Sequence, residues 1–249
     1  MRILAPRRPT LTDADHDLRA MSSAPDALDP SGAVTIPIAH TAPGYRVAKR
    51  ALDLTAAAIG LVLTSPLMLS IAAAVKAESP GPVFFRQQRL GLGGRPFTIL
   101  KFRSMHLRAD EREHRVHISR LIRQDKPASD DVTWLPIEAD ARVTRVGALL
   151  RRSHLDELPQ LLNILWGDMS LVGPRPPIPY EVELYQPWHL RRLAVIPGLT
   201  GLWQARGWGA LSFDEGVALD VEYVERRSFW LDLKIIVRTL WQVLTGRQF

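Results

Sequence analysis

Residues Leu54 to Val75 carry no charged side chain, and this run limits what the chain can become more than any other feature. As a straight helix it would extend about 33 Å, close to the roughly 30 Å of a bilayer's hydrocarbon core. Two details oppose a simple crossing. Ser65-Pro66 lies near the middle. Proline removes the backbone bond to Val62 and its ring crowds that carbonyl, so the helix should bend there. Ser65 can supply a partner for a backbone group freed at the bend. Both flanks are also basic, with Arg46, Lys49 and Arg50 before the run and Lys76, Arg86 and Arg89 after it. Positive charge favours the cytosolic side, so both ends should face the cytosol. A helix that enters, turns at Ser65-Pro66 and leaves on the same side satisfies both details. A Pro-kinked spanning helix and a buried core helix remain open on pattern alone.

The remainder divides unevenly. Residues 1–44 are dominated by Pro, Ala, Ser, Asp and Thr, with no lasting period. Such a segment cannot bury enough apolar surface to offset chain entropy, and it is expected as a disordered tail. No apolar stretch follows its early basic residues, so it does not read as a signal peptide. After Pro80-Gly81-Pro82, alternation predicts strands near Val83–Arg86 and Pro96–Phe102, with Gly91, Gly93 and Gly94 in the turn. Helices are expected over Arg108–Arg123, Arg145–Arg151 and Leu158–Trp166, with a loop through residues 126–131 and a Pro-rich loop from Gly173 to Pro179. Phe229–Leu244 mixes Phe229, Trp230, Ile236, Trp241 and Leu244 with Asp232, Lys234, Arg238 and Gln242. It reads as an amphipathic interfacial helix or as an ordinary core helix.

The absence of cysteine excludes disulfides, thiolate metal sites and thiol nucleophiles. A net charge of +6, carried mostly by Arg, indicates phosphate-bearing partners: an anionic membrane or a phosphorylated metabolite. No RNA- or DNA-binding signature, zinc spacing or helix-turn-helix pattern accompanies the charge, so nucleic acid is not expected as a partner.

The sharpest local chemistry lies in Leu155-Asp156-Glu157-Leu158-Pro159-Gln160. Pro159 suits the first turn of a helix, which makes Asp156 a natural N-cap. Ser153 paired with Asp156 is the alternative start. In either case the positive end of the helix dipole should favour the ionised acids. Adjacent residues do not share a helix face, so one carboxylate can attack while the other holds a metal. A plain acidic helix start fits the same pair. Arg151 and Arg152 precede the acids, Lys101 and Arg103 end the second predicted strand, and Arg175 lies between Pro174 and Pro176. Together, cations and acids make a site for a magnesium-bound diphosphate.

Seven segments, in order, resemble the monotopic polyprenyl-phosphate phosphoglycosyl transferases, the bacterial sugar transferase family. They are Lys49 to Asp53, Gly81 to Gln87, Lys101 to Met105, Asp156 to Gln160, Gly167 to Pro176, Pro197 to Gln204 and Leu231 to Lys234. The resemblance implies an α+β protein with a re-entrant helix-break-helix anchor over residues 45–78, broken at Ser65 and Pro66. A mainly helical cytosolic catalytic domain with a short β-hairpin and interfacial helices would follow over residues 79–249. It implies a bacterial inner-membrane location, a nucleoside-diphosphate sugar donor (UDP-linked in most members), a polyprenyl phosphate acceptor and contact with membrane lipid. A homodimer is left open. Asp156 matches the family nucleophile, and Glu157 the acid associated with Mg2+. Lys101, Arg103, Arg151 and Arg175 match phosphate-binding positions, while Asp168 and Asp220 are additional candidates. The implied reaction is ping-pong through an aspartyl phosphosugar. A catalytically silent membrane-surface adaptor and a metal-dependent phosphohydrolase are the rival readings. His154 stands where Ser or Thr is commoner, Ala141 replaces a frequent Pro, and Arg206-Gly207-Trp208 departs from the usual loop that meets the donor.

Overall fold

The computed structural model describes residues 36, 38–106, 112–124, 142–207 and 211–245. Most of the expected 1–44 tail, the 126–131 loop, Ala141 and Trp208 lie outside these residues. Helix α1 (Pro43–Glu78) is followed by a hairpin of β1 (Phe84–Leu90) and β2 (Pro96–Phe102). Next come α2 (Arg112–Gln124), α3 (Arg145–Arg152), a 3-10 turn at Leu155–Glu157, and α4 (Gln160–Trp166). The chain continues through β3 (Ser170–Val172), α5 (Pro179–Val182), a 3-10 stretch at Pro187–Ala194 and β4 (Gly198–Thr200). It ends with α6 (Leu202–Gly207), α7 (Phe213–Arg226) and α8 (Phe229–Thr245). The hairpin is antiparallel, with Phe84 opposite Phe102 and Leu90 opposite Pro96. Its turn uses Gly93 and Gly94 at positive φ, a conformation that costs glycine little.

The long apolar helix forms as expected, but without the expected division into two. Helical backbone continues through Ser65-Pro66. The Ser65 hydroxyl donates to the Val62 carbonyl at 2.8 Å, the acceptor that Pro66 leaves without its amide partner. Only 11% of the most apolar window of α1 is buried in the molecule. Val62, Leu63 and Leu69 are each more than 70% exposed. Such a face is matched to lipid and not to water.

Both ends of α1 are tied to the same body. Near its start, Tyr45 and Lys49 donate to Asp232 of α8 at 2.9 and 3.0 Å. Arg50 donates to the carbonyls of Ile164 and Leu165 at 2.7 and 2.8 Å, covering the open end of α4. Asp53 accepts from the Ser170 hydroxyl at 3.0 Å and the Leu171 amide at 2.9 Å. At the far end, Glu78 accepts from the amides of Arg145 and Val146, supplying the first turn of α3. Arg103 binds the carbonyls of Ser79 and Pro80, each at 2.7 Å.

Three apolar clusters sit behind these ties. Ala57 joins Ile99, Leu161, Ile164 and Met169; Ile71 and Val75 join Phe102 and Leu150; Val172 joins Leu202, Ala205, Tyr223 and Ile235. Helix α8 buries Asp232 and Ile235 but exposes Trp230, Val237, Leu240, Trp241 and Leu244. It is therefore not an ordinary core helix.

Candidate active site

The two acids lie where α3 turns into α4. Thr144 caps α3, accepting from the Gly147 amide at 2.9 Å. Gly147 passes so close to Ser104 that a Cβ there would sit 2.0 Å from the Ser104 carbonyl oxygen. That contact brings the last turn of α3 to the end of β2, where Arg151 Nε donates to Ser104 Oγ at 2.9 Å. His154 then takes a left-handed conformation, φ 57°, and reverses the chain into the 3-10 turn. On the other side, buried Asn163 fastens α4 to β2. Its Oδ1 accepts from the Leu100 amide at 3.0 Å and its Nδ2 donates to the Thr98 carbonyl at 2.7 Å. The register puts Lys101 beside the turn, where its ammonium meets Glu157 at 2.5 Å.

Asp156 is not the helix cap that its sequence position indicates. Pro159 holds the cap position of α4 without a side-chain bond, and the Ser153 hydroxyl turns back to the Leu149 carbonyl. Asp156 is buried inside the short turn. Burial pushes its carboxyl above the usual range, and the positive charge of Lys101 offsets only part of this. The expected ionising effect of a helix terminus is outweighed. Glu157 shifts the opposite way despite burial, because Lys101 and then Arg175 hold its carboxyl below the usual range. The neighbouring acids are thus separated electrostatically: one is costly to ionise, the other firmly anionic.

Lys101, Arg151 and Arg175 all act on this pair. Arg103 does not join them. It is buried at the end of α1, where its terminal nitrogens bind carbonyls and the Ser79 hydroxyl. That arrangement ties the end of α1 to the end of β2. Asp168 is half-buried in the turn after α4, where its backbone amide donates to the Asn163 carbonyl at 3.1 Å. Asp220 is completely buried one step behind Arg175, paired with Arg192 at 2.5 Å. Burial raises its carboxyl while Arg192 opposes the rise. In the sequence Arg192 carries no mark of function, and Arg89 stands only as flanking charge. Arg89 is buried, donates to the Pro176 carbonyl at 3.0 Å, and has its guanidinium pushed down to about 10 by burial and then by Arg175. Neither Arg lies in a pattern that marks it.

Among the described residues no group of three or more His, Cys, Asp or Glu side chains could hold a metal ion. Mg2+ needs no such cage, since one or two carboxylates plus substrate phosphate oxygens suffice. Glu157, half-exposed beside buried Asp156, is a hard oxygen donor of that kind, so the residues present fit the ion.

Residues 44–246 match the family model described as bacterial sugar transferase. A UDP-glucose:undecaprenyl-phosphate glucose-1-phosphate transferase of Caulobacter vibrioides is 45% identical over 205 residues, covering 79% of this chain and 70% of that protein. The exopolysaccharide production protein ExoY of Rhizobium meliloti is 43% identical over 204 residues, covering 81% and 87%. The galactosyl transferase CpsE of Streptococcus agalactiae is 42% identical over 205 residues, covering 81% of this chain but only 43% of its own length. A match that runs from the first turn of α1 to the end of α8 gives one conclusion: the chain belongs to the bacterial sugar transferase family.

Proposed function

We propose that this protein transfers a phosphosugar from a UDP-sugar to undecaprenyl phosphate, the opening step of exopolysaccharide synthesis, through a covalent bond to Asp156. The observation that carries the reading is the gathering of cations at the turn that holds Asp156 and Glu157: Lys101 meets Glu157 at 2.5 Å and Arg151 is held at Ser104, beside the end of β2. The substrates named for the Caulobacter relative support the choice of donor and acceptor.

In the first step an Asp156 oxygen attacks the phosphorus that bears the sugar. The bond between that phosphorus and the bridging oxygen breaks, and UMP leaves with the electron pair. Burial strips water from the carboxylate, which favours attack once the group is ionised. Lys101, Arg151 and Arg175 face the charge that gathers on the phosphoryl oxygens. Glu157 would hold Mg2+, leaving Asp156 free to attack; when bound, the ion supplies charge neutralisation on the diphosphate. In the second step a phosphate oxygen of the lipid attacks the same phosphorus, and the Asp156 carboxylate is released. No proton has to be moved in either displacement.

We infer further that the enzyme lies at the cytosolic face of the inner membrane, with α1 entering and leaving on the same side by a bend at Ser65-Pro66 that leaves its helical backbone unbroken. The ties at both ends of α1 support this. One folded body cannot hold Lys49 and Arg50 on one side of a bilayer and Glu78 and Ser79 on the other. The exposed apolar side of α8, with Lys234 and Arg238 beside it, suits the interfacial plane. Because the chain has no native cysteine, single cysteines at positions 31 and 248 report topology cleanly. Both should resist an impermeant thiol reagent added to intact spheroplasts and react after lysis. Labelling of one site from outside would contradict re-entry.

The reaction is tested by incubating purified protein with Mg2+, undecaprenyl phosphate and UDP-sugars including UDP-glucose and UDP-galactose. UMP should appear together with a lipid diphosphosugar, and a chelator should stop both. Net donor hydrolysis without the lipid, at an unchanged rate, would favour a phosphohydrolase. No turnover of any donor would favour a silent adaptor.

A further inference from the structure

The Pro-rich loop that carries Arg175 has an unusual supply of hydrogen bonds. Pro174, Pro176 and Pro177 have no backbone N–H, so the segment has few donors with which to organise itself. Loops of this kind are ordinarily mobile. Here four consecutive carbonyls are each held from outside. The Gly198 amide donates to Pro174 at 2.9 Å, and the Leu90 amide donates to Pro177 at 2.9 Å. Between these two, the donors are buried arginines. Arg192 Nη2 reaches the Arg175 carbonyl at 3.2 Å, and Arg89 Nη1 reaches the Pro176 carbonyl at 3.0 Å.

Burying two guanidinium groups is costly unless they are paired and hydrogen-bonded. Arg192 is fixed by Asp220 at 2.5 Å and by the Tyr185 hydroxyl at 3.0 Å, with its guanidinium over the Trp203 ring. Arg89 is fixed by the Gln87 side chain at 2.7 Å. The two come from opposite sides, one from β1 and the other from the 3-10 stretch before β4. Arg175 itself acts electrostatically on Glu157, so the loop's placement bears directly on the paired acids.

We propose that Arg89, Arg192 and Asp220 are positioning residues that clamp the backbone on both sides of Arg175 and so aim its guanidinium at the donor diphosphate. This rests on the reading of Arg175 as a phosphate ligand. Asp220 acts at one remove, by fixing the fork of Arg192. A lysine at 89 or 192 keeps the charge but cannot reproduce the forked contacts.

The test is a double-mutant cycle. Arg192→Lys and Arg89→Lys should each lower kcat/KM for UMP release by about 10- to 100-fold, the scale expected when a reacting group is misplaced by about an ångström. In an Arg175→Ala background the same changes should cost less than about 3-fold, because their only route to the chemistry has been removed. A merely structural role would give equal losses in both backgrounds and would overturn the proposal. The two lysine variants act on different carbonyls from different elements, so failure of one to fold leaves the other decisive. Hydrogen exchange supplies a readout independent of turnover. The Gly198 and Leu90 amides, bonded to the loop, should exchange at least about 10-fold faster in either variant. The Leu100 amide, bonded to Asn163, should not change. If wild-type protein makes no UMP, the reaction assigned above fails and exchange alone decides the clamp. If Gly198 and Leu90 exchange at wild-type rates, the clamp fails whatever the reaction.

Discussion

Asp156→Asn should lose at least about 1,000-fold in UMP release and, at neutral pH, should unfold at a higher temperature than the wild type. Both effects come from one cause. The carboxyl is buried, and burial raises its pKa over that of the unfolded chain. Ionisation therefore costs more in the folded state. The penalty is absent below the unfolded value of about 3.9, grows as pH rises towards the folded value, and is complete above it. Asparagine keeps the shape without a charge, so the gain in stability should vanish in acid. A nucleophile must also be ionised, so UMP release should decline as pH falls through the raised Asp156 value. Glu157 has the reverse linkage. Its lowered pKa contributes stability at neutral pH that is lost as pH falls through its own, lower folded value. Steady-state UMP assays and thermal melts across pH, on both proteins, check this. An Asp156→Asn protein that melts lower at neutral pH and still turns over would contradict it.

The largest effect on stability is expected at Asp232. This carboxylate has no solvent exposure. It accepts from Tyr45, Lys49 and Tyr223 at 2.9, 3.0 and 2.8 Å, joining the start of α1 to α7 and α8. Asp232→Ala removes the ion-pair partner of the Lys49 ammonium, leaving Asp53 as the remaining carboxylate acting on it, and takes an acceptor from two phenols, of which Tyr223 also reaches the Val172 carbonyl. Breaking a buried pair by deleting one partner costs about 3–5 kcal/mol, a large part of the stability of an ordinary domain. Removing both charges is different, since well-packed apolar replacements of a buried pair are often neutral. Lys49→Met combined with Asp232→Leu should recover the part of the loss that comes from the unpaired charge, while the Tyr45 hydroxyl still lacks its acceptor. Denaturant titration of the detergent-solubilised protein measures both. Equal destabilisation by the single and double changes would mean that the charge pair is not what Asp232 contributes.

Local pattern was enough for much of the fold. The β1–β2 hairpin, α3 and α4 follow from alternation, helical period and turn glycines, with ends displaced by a few residues. The pairing of Asp156 and Glu157 with Lys101, Arg151 and Arg175 was legible through family motifs, although these residues are far apart in sequence. What escaped was tertiary. Nothing local distinguishes a cation that meets the paired acids from one that closes a helix end, so Arg103 reads like Lys101 in the sequence. Lys49, Arg50 and Asp53 formed a motif without a task until α4, β3 and α8 were seen to gather around them. The cap at Asp156 was misread because left-handed His154 inserts a 3-10 turn before α4. At Ser65-Pro66, a hydroxyl replaces the missing amide bond to Val62 and helical backbone persists where a break was expected.

The most direct measurement is intact-protein mass spectrometry after brief incubation with Mg2+ and a UDP-sugar, with the lipid acceptor withheld. The protein should gain the mass of one sugar phosphate, on a peptide containing Asp156, and lose it when undecaprenyl phosphate is added. Productive turnover with no such adduct on any rapidly quenched sample would mean that the phosphosugar passes directly between substrates, and that Asp156 is not the group that carries it.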